Sequence, residues 1–104
     1  MSARATVVPG PAGAIEVRWE APEDAPESPP ALVAIIAHPH PLYGGTLDNK
    51  VVTTLARLYR RLGAVAVRFN FRGVGGSAGV HDEGRGEGDD LLAVAHWVLA
   101  QWPR

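Results

Sequence analysis

The rhythm of hydrophobic and polar positions changes along the chain, and each change predicts an element. Residues 4–8, RATVV, are short and β-branched and run into Pro9-Gly10. Residues 14–20, AIEVRWE, set Ile15, Val17 and Trp19 against Glu16, Arg18 and Glu20. That period of two predicts a half-buried strand, and PGPAG between the two runs predicts a hairpin. Residues 21–30, APEDAPESPP, are acidic and proline-rich and read as a surface loop, because proline supplies no ladder donors. Residues 31–37, ALVAIIA, form a continuous apolar run between turn signals, the pattern of a strand buried on both faces. HPHPLYGGT follows as loop. A spacing of three to four then sets in at Val51, Val52, Leu55, Leu58, Tyr59 and Leu62. It predicts a helix capped by Asp48 or Asn49 and stopped by Gly63. AVAVRFNF, residues 64–71, predicts a second buried strand. A glycine-rich loop follows, and a last helix from about Asp89 carries Leu91, Val94, Ala95, Val98 and Trp102 on one side. Asp89 and Asp90 stand at its dipole-favoured start, and Pro103 prevents a further turn.

The order is hairpin, strand, helix, strand, helix. A strand–helix–strand unit implies a parallel pair with a right-handed crossover. The expected fold class is α/β: an N-terminal β-hairpin followed by β-α-β-α, a mainly parallel twisted sheet with helices on both faces. The pattern reads as one portion of a domain over residues 1–104: a hairpin over 1–20, a proline-rich loop over 21–30, and β-α-β-α over 31–104. It looks incomplete after the last helix, which should cross back to another strand.

Composition narrows the function. The chain has 104 residues, 46% hydrophobic and 20% charged, with a net charge of −1. This is a globular composition, with no basic excess to recruit nucleic acid or an anionic membrane. The absence of cysteine removes disulfides, zinc–thiolate sites and a cysteine nucleophile. No apolar run approaches a membrane span, and the N-terminus lacks a signal-peptide core. These features point to a cytoplasmic protein without a cofactor.

The loop RGVGGSAGV, residues 72–80, contains both G-x-S-x-G around Ser77 and G-x-G-x-x-A from Gly73. A nucleophile turn needs a sharp strand-to-helix junction, and a dinucleotide loop must open a helix. Here five residues separate Phe71 from Ser77, and glycine-rich chain follows it. Neither reading fits. His81 and Asp82 lie near Ser77 in sequence, but a triad is a matter of geometry, not adjacency.

His38-Pro39-His40-Pro41 stands at the carboxyl end of an apolar strand, where α/β sheets place their ligands. Three readings compete. His38 and His40 have a metal-ligand spacing, but two ligands are too few for a site. The prolines could simply stiffen a turn. Alternatively, the segment is an oxyanion loop that aims backbone N–H groups at a developing negative charge. Pro39 and Pro41 have no N–H, which leaves His40 as the best-placed donor, with Leu42 and Tyr43 behind it. Gly44 and Gly45 allow close approach to a ligand.

The residues at 38–41 with Gly44-Gly45, Asn49-Lys50-Val51-Val52, and the run from Asn70 through Arg72, Gly73, Gly75, Ser77 and Gly79 resemble one family. They are similar to the N-terminal half of small, nearly lidless bacterial α/β-hydrolases of the dienelactone hydrolase and carboxylesterase type. The likeness covers residues from about 3 to 103. It implies ester or thioester hydrolysis by serine acyl transfer. In it, His40 would be the oxyanion donor and Leu42 a secondary one. His38, Pro39, Gly44 and Gly45 would shape that loop, and Arg72, Gly73, Gly75 and Ser77 would form a supporting rim. Glu87 and Asp90 would match structural acidic positions. The family's sheet order, 1-2-4-3-5-6-7-8, places nucleophile, acid and histidine after later strands, so all three would lie outside this chain. The strand at residues 31–37 would then be an open edge, inviting a homodimer or a missing C-terminal half.

Overall fold

The computed structural model describes residues 4–23, 30, 32–40 and 45–103. Strands β1 (Arg4–Gly10) and β2 (Gly13–Glu20) form the hairpin. Gly10 pairs with Gly13, so Pro11 and Ala12 alone make the turn. β1 is the outer strand, where Pro9 withholds no donor from a neighbour on its free side. β3 is Leu32–Ile36, and the chain returns through helix α1 (Lys50–Arg61) to β4 (Ala64–Phe69), then ends in helix α2 (Arg85–Gln101). The sheet order is β1-β2-β4-β3. Within these four strands the sheet is mixed: β4 pairs antiparallel with β2 and parallel with β3.

β4 is buried along its whole length, and its alternating side chains hold the two layers together. Val65, Val67 and Phe69 point to one face, where they meet Ile15 and Val17 of β2 and Val94 and Val98 of α2. Ala66 points to the other, with Ile36 of β3 and Val52 and Ala56 of α1. The helices therefore cover opposite faces. Each fully buried valine contributes about 1.5–3 kcal/mol.

Three expectations are corrected. The apolar run predicted to be buried on both faces is not so buried: of β3 only Ile36 is buried and Leu32 is 46% exposed, because among the described strands it is the open edge that the family resemblance implied. The strand with neighbours on both sides is β4, and it is the one buried along its length. The stripe predicted for α1 is also displaced. Val52 and Ala56 are buried, while Val51, Leu55, Leu58 and Leu62 are exposed. On this face β4 presents the buried Arg68, which pairs with Glu20 and Asp48, and Arg60 of α1 joins Glu20. Ion pairs thus occupy part of the ground beneath the helix. Asn49 is the cap, its Oδ1 accepting the Val51 N–H at 2.9 Å, and the chain leaves α1 through Gly63 at φ 92°.

The third correction concerns α2, which begins at Arg85 and not near Asp89. Gly84, at φ 97°, turns the chain into it. Glu87 reaches back to accept the Gly84 N–H at 3.0 Å, and Asp82 accepts the Gly86 N–H at 3.1 Å. These bonds satisfy donors that a helix start leaves open, and they outweigh the low helix propensity of Gly86 and Gly88. Asp90 is consequently inside the helix, 1% exposed, not at its dipole-favoured start.

Candidate functional site

An open cleft of about 870 Å³ lies at the carboxyl ends of β3 and β4. Its walls come from residues 38–40 after β3, Phe71 after β4, and the segment from His81 to Leu91 that leads into α2. His38 fastens the first two walls together. Its Nε2 accepts the Phe71 N–H at 3.0 Å, so the ring hydrogen sits on Nδ1, which donates to the Pro39 carbonyl at 2.7 Å. The ring is buried and meets Phe71 edge-to-face at 4.9 Å. Both nitrogens are engaged, so His38 is a latch and not a waiting metal ligand. Among the described residues, no group of three or more His, Asp or Glu is placed to hold a metal.

The latch carries His40 to the cleft, where its ring lies 4.6 Å from that of His81. The His40 carbonyl accepts the Gly45 N–H at 3.2 Å. A Cβ on Gly45 would fall onto the Pro39 carbonyl, so the chain closes here only with glycine. Leu42 and Gly44 lie outside the described residues.

The glycine loop after β4 has another task. Ser77 is buried, and its Oγ donates to the Asn70 carbonyl at 2.5 Å while accepting the Glu16 N–H at 2.9 Å. Glu16 Oε1 in turn accepts from Asn70 Nδ2 and the Gly76 N–H, both at 2.7 Å. Asn70 Oδ1 accepts the Leu47 N–H at 2.7 Å. This network ties the loop to β2 and to the segment before α1. Gly73 and Gly75 take φ 80° and 53°, in the left-handed region that favours glycine. Arg72 grips Asp90 of α2 with Nε at 3.2 Å and Nη2 at 2.9 Å, while its backbone N–H donates to Asp90 Oδ2 at 2.9 Å. Hydrogen bonding to Asp90 raises the already high pKa of this guanidinium.

On the far wall, His81 Nδ1 lies 2.8 Å from Glu87 Oε2. The same carboxylate accepts the Asp82 N–H at 2.8 Å and the Gly84 N–H. Burial alone pushes the Glu87 pKa up. The backbone donors and the neighbouring imidazole outweigh it and hold the group below its usual range.

Of the residues singled out in the sequence, His38, Pro39 and His40 line the cleft. Gly45 packs behind them. Arg72, Gly73, Gly75 and Ser77 stand outside its lining and hold the loops that build it. Ser77, His81 and Asp82 form no triad, since each has other partners. Sequence reasoning missed Glu16, read as one polar position of an alternating strand, and the pairing of His81 with Glu87. The spacing of Glu87 three residues after Gly84 could have signalled the helix start, but nothing in the sequence signalled its contact with His81.

No family model matches the chain. It is 44% identical over 94 residues to an uncharacterized protein of Rickettsia prowazekii, covering 90% of this chain and 38% of that one. It superposes on an α/β serine hydrolase without a lid from Xanthomonas campestris with a TM-score of 0.90 and 48% identity, covering 99% of this chain and 47% of the other. An α/β serine hydrolase homologue from Coxiella burnetii gives a TM-score of 0.89 and 48% identity, with 98% and 48% covered. The chain thus spans about half the length of these solved relatives.

Proposed function

From the premise that this chain has a partial α/β-hydrolase fold, we propose that it supplies the oxyanion side of a serine hydrolase acting on carboxylic esters or thioesters. The observation that carries this reading is the His38 latch, which brings residues 38–40 to a cleft at the carboxyl ends of the strands. In the reaction a serine Oγ bonds to the substrate's carbonyl carbon and gives its proton to a base. The carbonyl oxygen becomes an oxyanion that accepts the His40 backbone N–H, with Leu42 as second donor. The intermediate then expels the alcohol, which takes up the proton, and water releases the acyl group by the same route. Ser77 cannot be that serine in this reading, because its hydroxyl is buried and doubly bonded. Nucleophile, acid and catalytic histidine come from residues beyond this chain. No metal or cofactor enters the reaction as proposed.

The test is hydrolysis of p-nitrophenyl acetate by the 104-residue chain and by the longer polypeptide that its reading frame encodes if it continues. Turnover by the longer form that survives Ser77→Ala is the expected result. Turnover by the short chain that is lost in Ser77→Ala overturns the reading.

A second reading rests on β3, whose outer edge is unpaired among the described residues. Beside it runs an apolar groove of about 650 Å³ between β3 and α2, lined by Leu32, Val33, Ile35, Leu99 and Trp102. Edge and groove together would let two copies of the chain associate as a non-catalytic module.

A further inference from the structure

We propose that His81, held by Glu87, is a substrate-recognition residue: it accepts a hydrogen bond from a hydroxyl on the substrate, so that the cleft takes uncharged, hydroxyl-bearing esters. The inference rests on the cleft being the ester site and goes beyond it by naming a residue and a substrate class.

Three observations carry it. Glu87 is fixed by N–H donors from Asp82 and Gly84, with its side chain 9% exposed, so its free oxygen lobe faces one place, His81 Nδ1 at 2.8 Å. In the neutral imidazole Nδ1–H donates to that carboxylate, and the lone pair of the ring is on Nε2. Fixing one ring nitrogen with a carboxylate is how an imidazole is oriented for work at the other. The ring borders the cleft and stands 4.6 Å from that of His40, so whatever His81 holds lies close to the proposed oxyanion donor.

The charges facing the cleft choose the ligand. The α2 side presents Glu83 and Glu87, the β3 side His38 and His40, and the β4 side Phe71, with no Lys or Arg among the described lining residues. Arg72, beneath Gly86, is taken up by Asp90. An anionic substrate would meet the Glu83 carboxylate with no described lysine or arginine in the lining to offset it, whereas a neutral hydroxyl needs only an acceptor. Phe71, Leu91 and Pro39 complete the wall and suit a short apolar skeleton.

The test compares methyl lactate with methyl propionate, esters that differ by one hydroxyl next to the carbonyl. Amide and imidazole nitrogen NMR of the chain reads their binding. Both esters are expected to shift the Phe71 and His40 amides, and methyl lactate to bind about five-fold more tightly while also shifting His81 Nε2. His81→Phe keeps a ring and removes the acceptor, so both esters should bind it with the affinity of methyl propionate. Should that variant not fold, His81→Ala reads out the same loss. Equal affinities in the wild type, or a preference that survives in these variants, overturn the role of His81 and leave the ester site standing. Binding of neither ester overturns both.

Discussion

Ser77 uses both hydrogen-bonding capacities of its hydroxyl inside the protein, toward Asn70 and Glu16. Ser77→Ala therefore leaves a part-buried donor and a buried acceptor unpaired. The expected cost is about 2 kcal/mol by urea unfolding, with ester hydrolysis per folded molecule unchanged in any active form of the protein. Two glycines separate backbone conformation from close approach. Gly63 lies at φ 92° with open space around it, so Gly63→Ala should cost only about 1 kcal/mol. At Gly45 the added carbon meets the Pro39 carbonyl, so Gly45→Ala must move the backbone beside His40. It should cost well over that amount and shift the His38 and His40 amide resonances, which Gly63→Ala leaves in place. The letters around Ser77 were legible as a family marker, and the lack of a helix directly after them excluded a nucleophile turn. Glu16 was not legible: it alternates with Ile15 and Val17 as a solvent-facing residue does, and its partners Asn70 and Gly76 are 54 and 60 positions away.

At the scale of elements, the start of α2 is built on a single carboxylate. Glu87 closes the turn over 82–84 and aligns His81, and its pKa lies below the ordinary value because backbone donors overcome the effect of burial. A folded pKa below the unfolded one contributes stability above the unfolded value, about 4.3, and loses it as pH falls through the folded value. Glu87→Gln should thus cost about 1–2 kcal/mol at neutral pH, and the gap to wild type should shrink below pH ~4. Urea titrations at both pH values check this, and a gap that grows in acid contradicts it. Periodicity found every element here, because alternation and a three-to-four spacing are local properties. It placed the start of α2 too late, since Gly84, Gly86 and Gly88 look like loop until the bonds of Asp82 and Glu87 are known. It misjudged the exposed flank of α1 because a buried Arg68 on the facing strand cannot be foreseen from the helix.

For the whole molecule, the open quantity is what meets β3. Among the described residues the strand joins the sheet on one side only, and an apolar groove with Leu99 and Trp102 flanks it toward α2. An edge of this kind pairs with another chain unless it is covered or charged. The 104-residue chain is therefore expected to self-associate at micromolar concentration, which light scattering after size exclusion measures directly. Leu32→Lys combined with Leu99→Lys places charge at both ends of the groove on side chains 46% and 58% exposed, so it should leave the fold intact and yield a monomer. Hydrogen exchange distinguishes the pairing edge from the groove. If the strand pairs, the outward amides of β3 are protected in the wild type and exchange freely in the double variant. If only the groove associates, the double variant dissociates while those amides exchange fast in both. A wild type that stays monomeric with fast-exchanging β3 amides removes the self-associating module and leaves the hydrolase reading, in which residues from outside this chain complete the site.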